Sequence, residues 1–169
     1  MQTRFVLRTT ALLLSAAALS SCATPSNSIT TKAASGADAR TAATLPAELS
    51  VAHPALYRAW QGKDPLAMRP WYVDNAMIVA TTDIYRGWND MHARWLEPTL
   101  KAMSNFMAMP TSFTHEGDDI IEVGRYSFTV TQDGVAQEVR GGYAQRWQRQ
   151  PNGNWRVATA NIVRDPPRK

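Results

Sequence analysis

From Gly124 to Val157 the chain reads GRYSFTVTQDGVAQEVRGGYAQRWQRQPNGNWRV, and this stretch decides the fold. Two turn signals punctuate it, Gln132-Asp133-Gly134 and Pro151-Asn152-Gly153, each ending on a residue that accepts a positive φ. Around them lie runs rich in β-branched and aromatic residues: Ile120 to Thr131, Val139 to Arg149 and Trp155 to Val163. Connections this short join strands only as antiparallel neighbours. The spacing predicts three consecutive antiparallel strands, with Gly134 and Gly153 in tight hairpin turns.

Working toward the N-terminus, Ser112 to His115 leads to a turn at Glu116-Gly117-Asp118, which makes three or four antiparallel strands in all; the two-residue period starts at Met109. Before that the period is helical. Trp88, Met91, Trp95, Leu96, Leu100, Met103 and Met107 recur at steps of three and four, which predicts one long amphipathic helix kinked at Pro98. Ahead of it, Ala76 to Ala80 forms an apolar strand entered through a turn at Asp74-Asn75. His53-Pro54 opens a first helix whose apolar face is Leu56, Tyr57 and Trp60 and which Gly62 closes; Asp64-Pro65 starts a short second one. The fold class is α+β: a curved antiparallel sheet wrapped around about three helices from the N-terminal half.

The chain has 169 residues, 44% apolar and 19% charged, enough for one domain with a real core. Its 18 basic residues exceed its 14 acidic ones, but Arg4 and Arg8 fall in a segment expected to be removed, which leaves 16. No Lys/Arg run tracks a phosphate backbone, so nucleic acid is not an expected partner. A single cysteine rules out a disulfide scaffold and every two-cysteine redox or metal motif.

That cysteine has a telling position. Residues 1–21 have the layout of a secretory signal, with Arg4 and Arg8 ahead of the short apolar run from Thr9 to Leu19. The run is too short to span a bilayer. Leu19-Ser20-Ser21-Cys22 resembles the bacterial lipobox, which implies lipid attachment at Cys22 and cleavage just before it. Ala23, rather than Asp, follows the cysteine; in a Gram-negative cell the resemblance then implies an outer-membrane lipoprotein facing the periplasm. Residues 22–49, rich in Ser, Thr and Ala, read as a flexible tether, and residues 50–169 as the folded domain.

Several short motifs in that domain resemble one family. Ala59-Trp60-Gln61-Gly62-Lys63-Asp64-Pro65 is similar to the helix-ending motif of the nuclear-transport-factor-2-like superfamily, and Trp71-Tyr72-Val73-Asp74-Asn75-Ala76 to its lead into the first strand. Gly124-Arg125-Tyr126, Gly141-Gly142-Tyr143-Ala144-Gln145-Arg146-Trp147 and Asn152-Gly153-Asn154-Trp155-Arg156-Val157 resemble its later strands. The nearest branch is the SnoaL-like one, which holds polyketide cyclases and ketosteroid isomerase relatives, and the resemblance covers Leu56 to Arg164. It implies a cone enclosing an apolar cavity. The catalytic groups do not carry over: the position of the isomerase carboxylate base falls on Ala80, and that of the first-helix tyrosine on Leu56, with Tyr57 one step round the helix.

From the resemblance and the aromatic content, Trp60, Tyr72, Trp88, Tyr126 and Tyr143 are candidates for the cavity wall. Tyr143, Gln145 and Trp147 share one strand face, and Thr159, Asn161 and Val163 share one on the neighbour. Gln145 and Asn161 are the polar groups expected to orient a ligand. Asp83 and His115 are the candidate bases should there be catalysis. His53, His92 and His115 lack zinc-ligand spacing, and Met103, Met107 and Met109 read as core filler rather than a copper site. No phosphate-binding glycine loop and no nucleophile motif occurs, so no metal or cofactor is expected. The leading expectation is an envelope lipoprotein that binds a small apolar ligand without catalysis. The alternatives are an enzyme of the isomerase or cyclase kind and a dimerising interaction module.

Overall fold

The structure is a computed structural model, and it describes residues 42–166. Helix α1 spans Ala52–Gly62 and buries Ala52, Leu56 and Ala59, the i, i+4, i+7 stripe that an amphipathic helix turns to its core. It ends at Gly62, as read, and the left-handed cap residue is Lys63 just beyond it. The short α2 (Pro65–Met68) is capped by Asp64, whose carboxylate accepts from the Ala67 amide at 3.0 Å. After a 3-10 turn come β1 (Tyr72–Val79), the three-residue β2 (Ile84–Arg86), α3 (Gly87–Met91), a π turn at His92–Leu96 and α4 (Glu97–Ala102). Four long strands follow: β3 (Met103–Glu116), β4 (Asp119–Gln132), β5 (Val135–Arg149) and β6 (Trp155–Arg164).

The six strands form one sheet in the order β2-β1-β6-β5-β4-β3. Strands β3 to β6 run antiparallel in sequence order, as the turn chemistry predicts, and both expected glycines sit in their hairpin turns with positive φ. Strand β1 joins the far side of β6 in parallel, which the chain can do because helices separate the two in sequence. The sheet curves without closing. Its register breaks between Ser104 and Met107, between Pro110 and Ser112 and between Arg146 and Trp147, and each break bends a strand. The helices fill the concave side, where Leu56, Met68, Ile78, Met91, Leu96, Met103, Ile120, Trp147 and Val157 make the core.

Three local expectations need correction. The helical run does not continue to Met107: it stops at Ala102, and Met103 pairs with Val130 as the first residue of β3. Ladder bonds to β4 outweigh the helical spacing there, and Asn105 takes φ 54 inside the bulge. The irregularity also lies ahead of Pro98 rather than at it. A proline cannot donate to the carbonyl four residues back, Arg94, so the wide π turn at His92–Leu96 absorbs the mismatch. Finally, the folded unit begins before Ser50, since Leu49 is buried, Leu45 packs on the core, and the Ala43 amide donates to the Pro110 carbonyl at 2.9 Å.

Candidate functional site

Two glycine–tyrosine pairs build the inner wall. In the β4–β5 ladder Gly124 faces Tyr143 and Tyr126 faces Gly141. The Tyr143 ring lies where a side chain on Gly124 would be, and the Tyr126 ring lies where one on Gly141 would be. Each glycine is therefore the socket of the tyrosine across from it. This lets two large rings lie flat along the sheet and leaves the space above them empty.

That space is a cavity of about 570 Å³ between the sheet and the helices. Trp60, Trp95 and Phe106 wall it, with the Trp60 ring stacked on Phe106 at 5.2 Å and edge-on to Trp95 at 5.4 Å. Tyr57, Tyr72, Tyr85, Tyr126, Phe128 and Tyr143 add further aromatic surface.

Behind Tyr143 lies the strongest polar feature of the molecule, Glu122 on β4, which is fully buried. Strand β5 sends it three donors: Tyr143 Oη to Oε1 at 2.7 Å, and Gln145 Nε2 and Trp147 Nε1 to Oε2 at 2.7 and 2.8 Å. Helix α1 sends two more, Tyr57 Oη at 2.7 Å and His53 Nε2 at 3.2 Å, both to Oε1. His53 and Tyr57 are one helical turn apart, and their rings stack at 4.2 Å. Burial alone pushes the Glu122 carboxyl up, but the His53, Tyr143 and Tyr57 donors outweigh it and hold the group below the usual carboxylate range. Burial, and then the negative charge of Glu122, push the Tyr57 and Tyr143 hydroxyls up, so both stay protonated.

Of the residues singled out in the sequence, Trp60, Tyr72, Tyr126, Tyr143 and Gln145 line the cavity together. Trp88 does not. It packs behind Tyr72, stacks on His92 at 5.6 Å and carries the Arg69 guanidinium over its ring, and Tyr85 and Trp95 face the cavity instead. Trp147 is wholly buried, does not line the cavity and reaches the site through Glu122 and the His53 ring.

Asn161 points to the outer face and is exposed, while Ala160, Ile162 and Arg164 take the inner row. The cause is the register break beside Trp147. Trp147 pairs with Val157, but Gln145 pairs with Ala160, so one extra residue on β6 exchanges the faces beyond it.

Asp83 is exposed and bonded to Arg94 at 3.2 Å, and His115 is exposed 3.9 Å from Glu48; neither lines the cavity. Ala80 does line it, without a carboxylate. Among the described residues no cluster of His, Cys, Asp and Glu is arranged to hold a metal, and no helix is long and apolar enough to cross a membrane. Cys22 lies outside the described residues.

Glu122 was not singled out in the sequence, yet a signal for it exists. The Asp133-Gly134 turn pairs Gln132 with Val135, and ten steps outward on each strand lie Glu122 and Gln145. A carboxylate facing the Tyr143, Gln145 and Trp147 row is thus written in the hairpin register.

No family model and no curated protein matches the sequence. Solved structures do match the fold. A ketosteroid isomerase-like protein from Erwinia carotovora atroseptica aligns with a TM-score of 0.64 at 16% identity, over 73% of this chain and 100% of its own. A nuclear transport factor 2-like superfamily protein from Salmonella enterica serovar Typhimurium aligns at 0.60 and 18%, over 72% and 90%. A candidate SnoaL-like polyketide cyclase from Shewanella denitrificans aligns at 0.57 and 15%, over 72% and 92%. The chain therefore has the nuclear-transport-factor-2-like cone fold, shared with ketosteroid isomerase-like and SnoaL-like proteins.

Proposed function

We propose that this chain is a lipid-anchored envelope protein whose cone domain binds a small, mostly apolar molecule without turning it over. The observation that carries the binding reading is the 570 Å³ cavity, aromatic on most sides, with the polar groups of Tyr57, Tyr143 and Gln145 gathered in one corner. The absence of turnover is argued from Glu122. Five donors occupy its two oxygens, and a carboxylate so held is a weak base. The anchor is argued from the lipobox-like Leu19 to Cys22 alone; several acyl chains on one cysteine would hold the protein firmly to a membrane.

Two experiments test this. Trp60 and Trp95 line the cavity, so a ligand that enters quenches intrinsic fluorescence saturably; steroid-like and polyketide-like compounds that leave fluorescence unchanged at millimolar concentration would refute binding. For the anchor, Cys22→Ser should move the protein from the membrane to the soluble fraction or stall its processing. A wild-type Cys22 without acyl mass would refute it.

The second reading is a proton-transfer enzyme, favoured by one observation: the Tyr57 hydroxyl, next along the helix from the expected oxyanion donor, does reach the cavity corner. Isomerase or cyclase turnover abolished by Tyr57→Phe would establish it in place of the first.

A further inference from the structure

Two sets of polar groups on the cavity wall lie at different levels of the β5–β6 pair. At the inner end Gln145 pairs with Ala160, and at the mouth Gly141 pairs with Arg164. Four residues of strand separate them, about 13 Å.

The inner corner presents mainly acceptors. Tyr57 Oη, Tyr143 Oη and Glu122 Oε1 form a triangle with edges of 2.6, 2.7 and 2.7 Å. Each hydroxyl has a single proton, and both are spent within the triangle. Their remaining lone pairs are left for a guest. Gln145 spends an amide proton on Glu122, and its Oε1 has no protein partner among the described residues.

The mouth is the reverse. Among the described residues Arg164 is the one charged side chain of the cavity wall, and no acid lines the cavity beside it. The nearest carboxylate in sequence, Asp165, is bonded to Arg125, and Arg140 is paired with Glu138 at 2.7 Å. Among the described residues the Arg164 guanidinium has no carboxylate partner. Tyr126 Oη, which burial and the charges of Arg164, Asp165 and Arg125 all reach, has no hydrogen-bond acceptor among the described residues either. Two donors therefore lie on the cavity wall at this end with no carboxylate acceptor among the described residues.

Resting on the binding reading above, we infer that the ligand is an elongated apolar monocarboxylate with a hydroxyl at its far end. The carboxylate sits on Arg164 and Tyr126, and the hydroxyl donates into the Tyr57–Tyr143–Gln145 corner. A carboxylate fits better than a phosphate monoester, because one guanidinium matches one negative charge and binds the two carboxylate oxygens side by side. The aromatic wall between the two ends takes the apolar body by area alone.

A ten-carbon ω-hydroxy acid has about the required span. The test titrates 10-hydroxydecanoate, 10-methoxydecanoate and 1,10-decanediol into the full chain carrying Cys22→Ser, which bears no acyl group. Tryptophan quenching and calorimetry read the binding. The hydroxy acid should bind at least tenfold tighter than the diol, and Arg164→Gln should remove most of that preference for the acid over the diol. The methoxy acid, which cannot donate, should bind several-fold more weakly than the hydroxy acid. A diol that binds as well as the acid, or an Arg164→Gln variant that keeps the preference, overturns the acid assignment and leaves the binding reading standing. A methoxy acid that binds as well as the hydroxy acid overturns the orientation. If no probe binds and the panel of apolar compounds also fails, the binding reading itself falls.

Discussion

Replacing Glu122 probes the centre of the site, and its cost can be worked out donor by donor. In Glu122→Ala the two hydroxyls keep each other, since Tyr57 and Tyr143 already lie 2.6 Å apart. His53 has a side chain 13% exposed and finds water. Trp147 Nε1 and Gln145 Nε2 are left in the interior with no acceptor. Each stranded donor costs about 1–3 kcal/mol, so the variant should lose about 3–5 kcal/mol, a large part of a typical domain's stability. With a urea m-value of about 2 kcal/mol/M, the unfolding midpoint should fall by roughly 2 M. Glu122→Gln should lose less. Its amide oxygen can stay toward Gln145 and Trp147 while its nitrogen donates to the tyrosine oxygens, which reverse their own protons; about 1–3 kcal/mol is expected. Urea melts of the three proteins decide the matter. If Glu122→Ala unfolds within about 0.5 M of the wild type, or if Glu122→Gln is the less stable of the two, then Trp147 and Gln145 are not stranded and the cost assigned to them is wrong.

The sockets and the titrating groups give three more tests. Gly141→Ala should destabilise by about 3 kcal/mol or more, because its new methyl would overlap both the Val163 carbonyl and the Tyr126 ring; Gly142→Ala next door, meeting the end of the Arg125 side chain and the Gly124 carbonyl at ordinary contact distance, should cost less than about 1 kcal/mol, and equal urea midpoints for the two would contradict the socket geometry. Glu122 titrates below its usual range when folded, so its contribution to stability is complete above about pH 5 and fades as the pH falls through its folded value; melting temperature from pH 6 to pH 2 should drop less steeply in Glu122→Gln. Tyr57 and Tyr143 are shifted upward, so what they contribute is present below about pH 10 and lost above it, and Tyr143→Phe should flatten that alkaline limb.

The parts of the fold that the sequence showed clearly are those set by local chemistry. The Asp133-Gly134 and Asn152-Gly153 turns and the Asp64 start of α2 each depend on residues a few positions apart, and each formed as read; α1 formed too, but its buried stripe is Ala52, Leu56 and Ala59 rather than Leu56, Tyr57 and Trp60. The errors arose where a distant partner decides. Met103 has the spacing of a helix residue until β4 offers it a ladder, and the π turn answers a carbonyl that Pro98 leaves unmet.

The site divides along the same line. Tyr126, Tyr143 and Gln145 follow from alternation on a single strand, and they line the cavity. Asn161 follows from the same alternation carried from Val157 along β6, and it faces outward, because one bulged residue opposite Trp147 is invisible to a period-two count. Glu122 needed both things at once: the inward face of β4 and its register against β5. A buried carboxylate is tolerable only where donors converge on it, and these come from a strand 21 to 25 residues on and a helix 65 to 69 residues back. Taken alone, Glu122 reads as one more polar residue on a strand. Set in the hairpin register opposite Gln145, it is a charge facing the core, and a charge facing the core demands partners. That demand explains why Tyr57 and Tyr143 turn their hydroxyls toward one point, and with it which end of the cavity accepts hydrogen bonds and which end donates them.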